Sequence, residues 1–299
     1  MTAPTHQVPP DTAPQRLDRY ASIVFAQLPS KARARKAAKA GLLLLNGQPA
    51  ESSRYVKPGD LICYQAPAPR PPKPFPLDLS FAHVDDHLAV VIKPPGLLTN
   101  GNRFRTLEAA LVHHLPPPAL PDALPWPRPA HRLDFRTGGL VVAARTLTAQ
   151  IALGHAFEQR RVAKGYRAIV SGRLEGAGVI RQPVEGRDAE TAWQALGHVP
   201  STRVQALTTV DLQPATGRTH QLRRHLAHLG HPIVGDDKYT PAEVPLLRGK
   251  GLFLWAVSLT LAHPVTGVTL QVDTSEPPRF EGLRSRERKR AASRATPSN

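Results

Sequence analysis

The stretch HRLDFRTGGL, residues 131–140, places a histidine, an aspartate and two arginines within six positions, then runs through two glycines into LVVAA. An aspartate just outside a strand can stand exposed at a cleft while its backbone is held rigidly. Arg132 and Arg136 flank Asp134, and a guanidinium close to a carboxylate favours the ionised form. Such an anion serves as nucleophile, as base or as stabiliser of a cationic centre. The same ten residues equally suit an ion pair that pins a loop, because structural ion-pair networks use the same side chains.

Two further stretches weigh toward chemistry. ATGRTHQLRRHLAHLGHPIVGDDKY (215–239) gathers Arg218, His220, Gln221, Arg223, Arg224 and His225 around a turn and a helix start. Donors at the positive end of a helix suit phosphate or carboxylate. KGYRAIV puts Tyr166 on a strand, where its ring offers a flat face for a base and its hydroxyl a hydrogen bond. His220, His225, His228 and His231 lack a carboxylate or cysteine at ligand spacing, so they read as helix packing and no metal is expected. A single cysteine, Cys63, excludes the P-C-x-x-C of a zinc base deaminase. The chain also has no G-x-S-x-G, no G-x-x-x-x-G-K-[ST] and no G-x-G-x-x-G, so neither a serine hydrolase nor a nucleotide cofactor is indicated.

Charge names the partner class. Lys and Arg outnumber Asp and Glu by 39 to 23 over 299 residues, a formal +16. A polyanion is the natural partner, and nucleic acid comes before an anionic membrane. The lone cysteine fits a reducing compartment. No apolar run reaches the roughly 18 residues of a membrane span, and the first thirty residues lack a signal core. These features predict a cytoplasmic protein.

The elements that must position these residues follow from periodicity and punctuation. Residues 1–15 are polar and proline-rich and are expected to be disordered. Residues 16–66 form a small module. Leu17, Tyr20, Ile23 and Val24 recur at helical spacing. Ser30 is a plausible N-cap for a second helix, KARARKAAKAG, which Gly41 ends. A strand LLLL, an NG turn and a strand LICYQ follow. Lys31, Arg35 and Lys39 share one face of the second helix. PAPRPPKPFP makes 67–77 a semi-rigid linker, and PPPALPDALPWPRP (116–129) reads as a surface loop, too rich in proline for a helix or a central strand. From 78 to 282 short strands dominate, with helices over TLTAQIALGHAFEQRR and THQLRRHLAHLG and a hairpin around VTG. The absence of regular strand–helix alternation argues for mixed α+β with a mostly antiparallel sheet. Residues 283–299, with six basic residues to one acidic in 283–299, are expected to form a disordered tail that adds phosphate affinity.

Four motifs in order resemble the RluA-type RNA pseudouridine synthases. VIKPPGLLT is similar to the family's V.KP.G..V, HRLDFRTGGL to HRLD..TSGL, KGYRAIV to K.Y.A.V, and GRTHQLRRHLAHLGHPIVGD to GR.HQIR.HL...G.PI.GD. Phe135 and Arg136 stand where the family commonly has a small or charged pair, and Gly138 where serine is usual. The resemblance implies the pseudouridine synthase fold and a cofactor-free isomerisation of uridine in RNA. It implies that Asp134 is the catalytic carboxylate, that Tyr166 stacks on the flipped base and assists proton removal at C5, and that Arg223 pairs with Asp134. It further implies that Arg132 fills the space left by the flipped nucleotide and that Arg218, His220 and Gln221 bind substrate. Whether Asp134 attacks C1′ or takes a proton from the ribose stays open. Residues 16–65, with RLD, SKARA, the NG turn and VKPGD, resemble the RNA-binding domain named after ribosomal small-subunit protein four. That resemblance implies RNA contacts from Lys31, Arg33, Arg35 and Lys39. Large-subunit ribosomal RNA is the expected substrate and transfer RNA the alternative, with the enzyme acting as a monomer. The competing reading is a non-catalytic RNA-binding or ribosome-assembly factor that keeps the same fold.

Overall fold

The computed structural model describes residues 3–66, 70–247 and 251–295. The chain divides into two compact units, Met1–Arg70 and Pro71–Asn299.

In the first unit β1 (Thr5–Gln7) and β2 (Gln15–Arg16) precede α1 (Leu17–Val24) and α2 (Lys31–Lys39), followed by β3 (Leu43–Leu45), β4 (Gln48–Pro49), β5 (Tyr55–Val56) and β6 (Leu61–Tyr64). The Ser30 hydroxyl accepts from the Arg33 N–H at 3.3 Å, capping α2. Asn46 and Gly47 both adopt positive φ, the conformation that a tight hairpin requires. Leu17, Tyr20, Phe25, Ala34, Leu43 and Ile62 form the core. The expected disorder of residues 1–15 is corrected. β1 pairs with β6, and Val8 is buried in the core with its N–H on Asp60 O at 2.8 Å. One apolar residue and an open strand edge suffice to order a polar segment. Residues 1 and 2 lie outside the described residues.

The second unit holds β7 (Ser80–Val84), β8 (Leu88–Lys93), α3 (Leu107–His114), β9 (Ala123–Pro129), β10 (Gly138–Thr146), α4 (Leu147–Glu158), β11 (Ala163–Ser171), β12 (Ala177–Ile180), β13 (Thr191–Ser201), β14 (Gln205–Pro214), α5 (Gln221–His228), β15 (Leu254–Ala262), β16 (Thr269–Asp273) and α6 (Arg279–Ala295). The strands form a sheet of order β12-β13-β14-β11-β15-β10-β8-β7, with β9 beside β10 and β16 beside β15. β10 and β15 run parallel, and the other strand pairs are antiparallel. This is the mixed α+β, mostly antiparallel architecture.

The two glycines that follow the Asp134 loop explain the sheet. β10 and β15 touch only at Gly138↔Trp255 and Gly139↔Ala256, then diverge to take β9 and β16 as partners. A Cβ on Gly138 would lie 2.1 Å from the Trp255 ring, and one on Gly139 2.3 Å from Ala256 O, with φ at +115°. Only glycine permits this approach. One register row then crosses the junction as Lys93–Gly139–Ala256–Tyr166–Leu212, which brings the Asp134 loop and Tyr166 together although they are distant in sequence.

Three more expectations change. The stretch 116–129 is not all loop, since β9 pairs with β10. The Ala130 N–H points at Val142 O, so by alternation Pro125, Pro127 and Pro129 turn their nitrogens away from β10 and lose no ladder bond. The segment expected as linker splits: residues 67–69 lie outside the described residues, whereas Phe75 and Leu77 pack against the second unit's core and the Phe75 N–H reaches Ala109 O at 3.0 Å. The expected disordered tail is helical through α6. Phe280 and Leu283 are buried, and Glu287, also buried, accepts from Ser201 Oγ at 2.7 Å. Arginine density hid these anchors. Residues 296–299 lie outside the described residues.

Candidate active site

Asp134 lies in the loop between β9 and β10, and that loop is tied from both sides. Thr99 Oγ1 bonds both Leu133 N and O at 3.2 Å, the Gly96 N–H donates to Phe135 O at 2.7 Å, and the Thr137 N–H donates to Asp134 O at 3.1 Å. Arg136 pairs with Asp237 and donates to Gly235 O at 2.9 Å. Neither sequence neighbour pairs with the Asp134 carboxylate: Arg136 turns to the 235–237 loop, and Arg132 is exposed with no partner among the described residues.

Asp134 opens onto a cleft of about 480 Å³, and Arg132, Tyr166, Arg218, His220, Gln221 and Arg223 all line it. The carboxylate is about one-fifth exposed, with Oδ2 3.9 Å from Arg223 Nη1 and Oδ1 3.8 Å from His220 Nε2. Arg223 does lie at ion-pair distance from Asp134, but its closer partner is Asp236. Its Nε and Nη2 donate to Asp236 at 2.7 and 2.8 Å, and Asp236 is fully buried. Burial opposes the guanidinium charge, yet the Asp236 bonds and the Asp134 charge outweigh it and raise its pKa. Arg223 is thus a buried cation fixed by one carboxylate and offered to another. Tyr239 stacks under it with 5.0 Å between guanidinium and ring centre.

His220 occupies the left-handed N-cap position of α5. Its Nδ1 shares a 2.8 Å hydrogen bond with Tyr239 Oη. Burial lowers its pKa against the pull of Asp134, so a neutral imidazole faces the carboxylate. Tyr166 is half-buried in the cleft wall. Burial, and secondarily the Asp134 charge, pushes its phenol above the ordinary value. It therefore presents a ring and an O–H, not a phenolate.

Gln221 lines the cleft but its polar atoms are engaged. Oε1 accepts from Thr216 Oγ1 at 2.6 Å and from the Arg218 N–H at 3.0 Å, while Nε2 donates to Glu190 O and Thr191 Oγ1 at 2.9 and 3.0 Å. The amide's acceptor holds the 215–219 turn and its donors hold the Glu190–Thr191 strand end, so the side chain shapes the cleft. Arg218 donates to Asp188 O at 3.1 Å at the cleft mouth.

Sequence reasoning missed four residues here. Asp236 was visible as an acidic pair, 236–237, inside a cationic stretch. Lys93 was visible as a lysine ending the apolar run LAVVI. It is fully buried, donates to Pro94 O and Leu97 O at 3.0 and 2.8 Å, and burial lowers its pKa to about 8 against the attraction of Asp134. Lys164 and the buried Thr137 hydroxyl line the cleft with no hydrogen-bond partner among the described residues. Burial also lowers the Lys164 pKa. His131 instead accepts from the Val142 N–H at 3.2 Å and stacks on Phe157 at 4.7 Å. Burial, then Lys164, lowers its pKa to about 3, which marks it as a neutral wall of the cleft.

On α2 of the first unit, Lys31, Arg33 and Lys39 are exposed. Arg35 is exposed as well, and its Nε holds the buried Asp18 carboxylate at 2.6 Å. Among the described residues no helix is long and apolar enough to cross a membrane, and no group of three metal-ligating side chains is arranged to hold a metal.

A ten-stranded mixed sheet thus sets the Asp134 loop and Tyr166 at its glycine junction, and a buried arginine from α5 reaches the same cleft. Residues 87–228 match the model of the RNA pseudouridylate synthase family. The chain is 35% identical over 292 residues to ribosomal large subunit pseudouridine synthase D of Xylella fastidiosa, covering 89% of this chain and 86% of that one. It is 35% identical over 209 residues to the dual-specificity RNA pseudouridine synthase RluA of Haemophilus influenzae, covering 64% and 90%. The solved structure of human RNA pseudouridylate synthase domain containing 1 superposes with a TM-score of 0.56 at 28% identity, over 74% of this chain and 97% of that one. The chain belongs to the RluA-type family of RNA pseudouridine synthases, enzymes that isomerise uridine to pseudouridine in RNA.

Proposed function

We propose that this enzyme modifies uridine in large-subunit ribosomal RNA, that it works in the cytoplasm as a monomer without cofactor, and that Asp134 is its catalytic carboxylate. The observation that carries the reading is the placement of the Asp134 carboxylate in a cleft that Tyr166 also lines, with a buried guanidinium at 3.9 Å. The target uridine leaves its stack to reach this cleft. The N1–C1′ bond breaks, the uracil turns, C5 bonds to C1′, the C5 proton is lost and N1 is protonated, so atoms and charge balance without a co-reactant. A cationic sugar in that sequence is stabilised by a fixed anion, and a glycal-like one forms when the same anion takes the 2′ proton and later returns it. Asp134 supplies the anion, and Arg223, locked by Asp236, keeps it in place. Tyr166 supplies a ring beneath the base, and its raised pKa speaks against a resting phenolate as the base that removes the C5 proton. Arg132, exposed and unpartnered among the described residues, suits the space vacated by the flipped nucleotide, and Arg218 and His220 flank the bound nucleoside.

The first unit acts in this proposal as a phosphate-binding module of the type named after ribosomal small-subunit protein four, through Lys31, Arg33 and Lys39. The names of the relatives, one a large-subunit synthase and one of dual specificity, support ribosomal RNA and keep transfer RNA as the second substrate to test. Pseudouridine mapping of both RNA classes, from cells with and without the gene, tests it. Loss of one or more large-subunit sites supports the proposal, and loss confined to transfer RNA overturns it.

A further inference from the structure

Phe135 follows the Asp134 carboxylate directly in the chain, yet its ring is 53% exposed. It is one of the positions where this sequence departs from the family pattern. Its backbone is fixed, with its carbonyl bonded to Gly96 N and the next side chain, Arg136, bound to Asp237 and Gly235 O. The ring is therefore held out at the active-site loop by a rigid support. The Gly96 and Thr99 bonds also draw a second loop alongside. That loop is closed at its neck by the Leu98↔Thr106 bridge and projects an exposed Arg103–Phe104–Arg105, with Phe104 48% exposed. Asp134, which precedes Phe135, lines the cleft, and aromatic rings interleaved with cations on these two loops match the chemistry of a single strand whose bases stack on rings and whose phosphates meet arginines.

We propose that Phe135 is a base-stacking residue, whose ring takes the face of an unpaired nucleotide adjacent to the target uridine and so selects substrates by the flexibility of that neighbour. The proposal rests on the pseudouridine synthase reading of Asp134 and deepens it. A loop that held its neighbour in a helix would offer no free face and would be a poor substrate.

The test uses the full-length enzyme and a synthetic RNA hairpin spanning a uridine that it modifies, made intact and with an abasic nucleotide on either side of that uridine. Phe135→Leu raises KM about tenfold with kcat within about twofold, Phe135→Trp stays near the parent, and the slope of log KM against log salt is unchanged, since no phosphate contact is lost. The abasic neighbour on the stacked side raises KM about tenfold for the parent enzyme and leaves Phe135→Leu unaffected. An unchanged KM for Phe135→Leu overturns the proposal, as does an abasic penalty equal in both enzymes. So does a parent dimer that Phe135→Leu makes monomeric without altering KM, which would assign the ring to a second copy. A parent enzyme that isomerises no uridine sinks the underlying reading instead, and the two failures are distinct.

Discussion

Asp236→Asn isolates the device that fixes Arg223. The carboxylate is fully buried, takes two Arg223 donors at 2.7 and 2.8 Å, and accepts from the Lys238 and Tyr239 N–H groups at 3.1 and 3.3 Å. Asparagine keeps one acceptor for the backbone but turns an NH₂ toward the guanidinium, leaving a buried cation without its main counter-ion. Removing one partner of such a pair costs about 3–5 kcal/mol. At about 2–4 °C per kcal/mol for a unit of this size, Tm falls by about 6–20 °C. The freed guanidinium no longer sits at a fixed 3.9 Å from Asp134, and misplacement of that order lowers kcat by about 100-fold. Glu185→Gln is the control. Its pair with Arg224 is equally short at 2.6 Å, but the side chains are 30% and 60% exposed, so solvent screening holds its worth to about 0–1 kcal/mol. Differential scanning calorimetry and single-turnover isomerisation of the purified proteins give both readouts. An Asp236→Asn protein matching the control in Tm and kcat would refute the reasoning.

Other perturbations probe other links. Gly139→Ala drives a Cβ into Ala256 O at 2.3 Å with φ at +115°; it is expected to cost at least about 3 kcal/mol and to yield little soluble protein, which expression and thermal melting check. Lys93 has a folded-state pKa of about 8 against 10.5 when unfolded. Because the unfolded chain binds more protons between those values, this group's penalty on stability is relieved as pH rises from 8 to 10.5, by about 3 kcal/mol. Urea melts of the parent against Lys93→Met across that range are expected to show a gain with pH that the variant lacks. Replacing Lys31, Arg33 and Lys39 together by alanine is expected to weaken RNA binding across sequences and to reduce the salt slope by about 2–3, read by fluorescence anisotropy.

Much of the site was legible because its chemistry is concentrated in short motifs. Asp134, Tyr166 and Arg223 line one cleft, as their motifs implied, and local signals placed the Ser30 cap, the Asn46–Gly47 turn and the helix over 221–228. What escaped depends on register and on long-range partners. No periodicity reveals that Gly139, Ala256 and Tyr166 share a row, that Arg223 turns to Asp236, or that Gln221 spends its amide on Glu190 and Thr191. Proline and arginine counts misled in the opposite direction. Alternate prolines suit the edge of β9, and two apolar residues, Phe280 and Leu283, order a helix whose composition reads as a tail.

Asp134→Asn measured for product formation and RNA binding side by side tests the central claim most directly. The substitution keeps the shape of the side chain, deletes its charge and turns one acceptor oxygen into a donor. RNA affinity within about threefold of the parent, with no pseudouridine formed on prolonged incubation, is the expected result, since a missing anion removes the stabilisation of the reacting sugar. Turnover within tenfold of the parent would contradict it, and would return Asp134 to a loop-pinning ion pair.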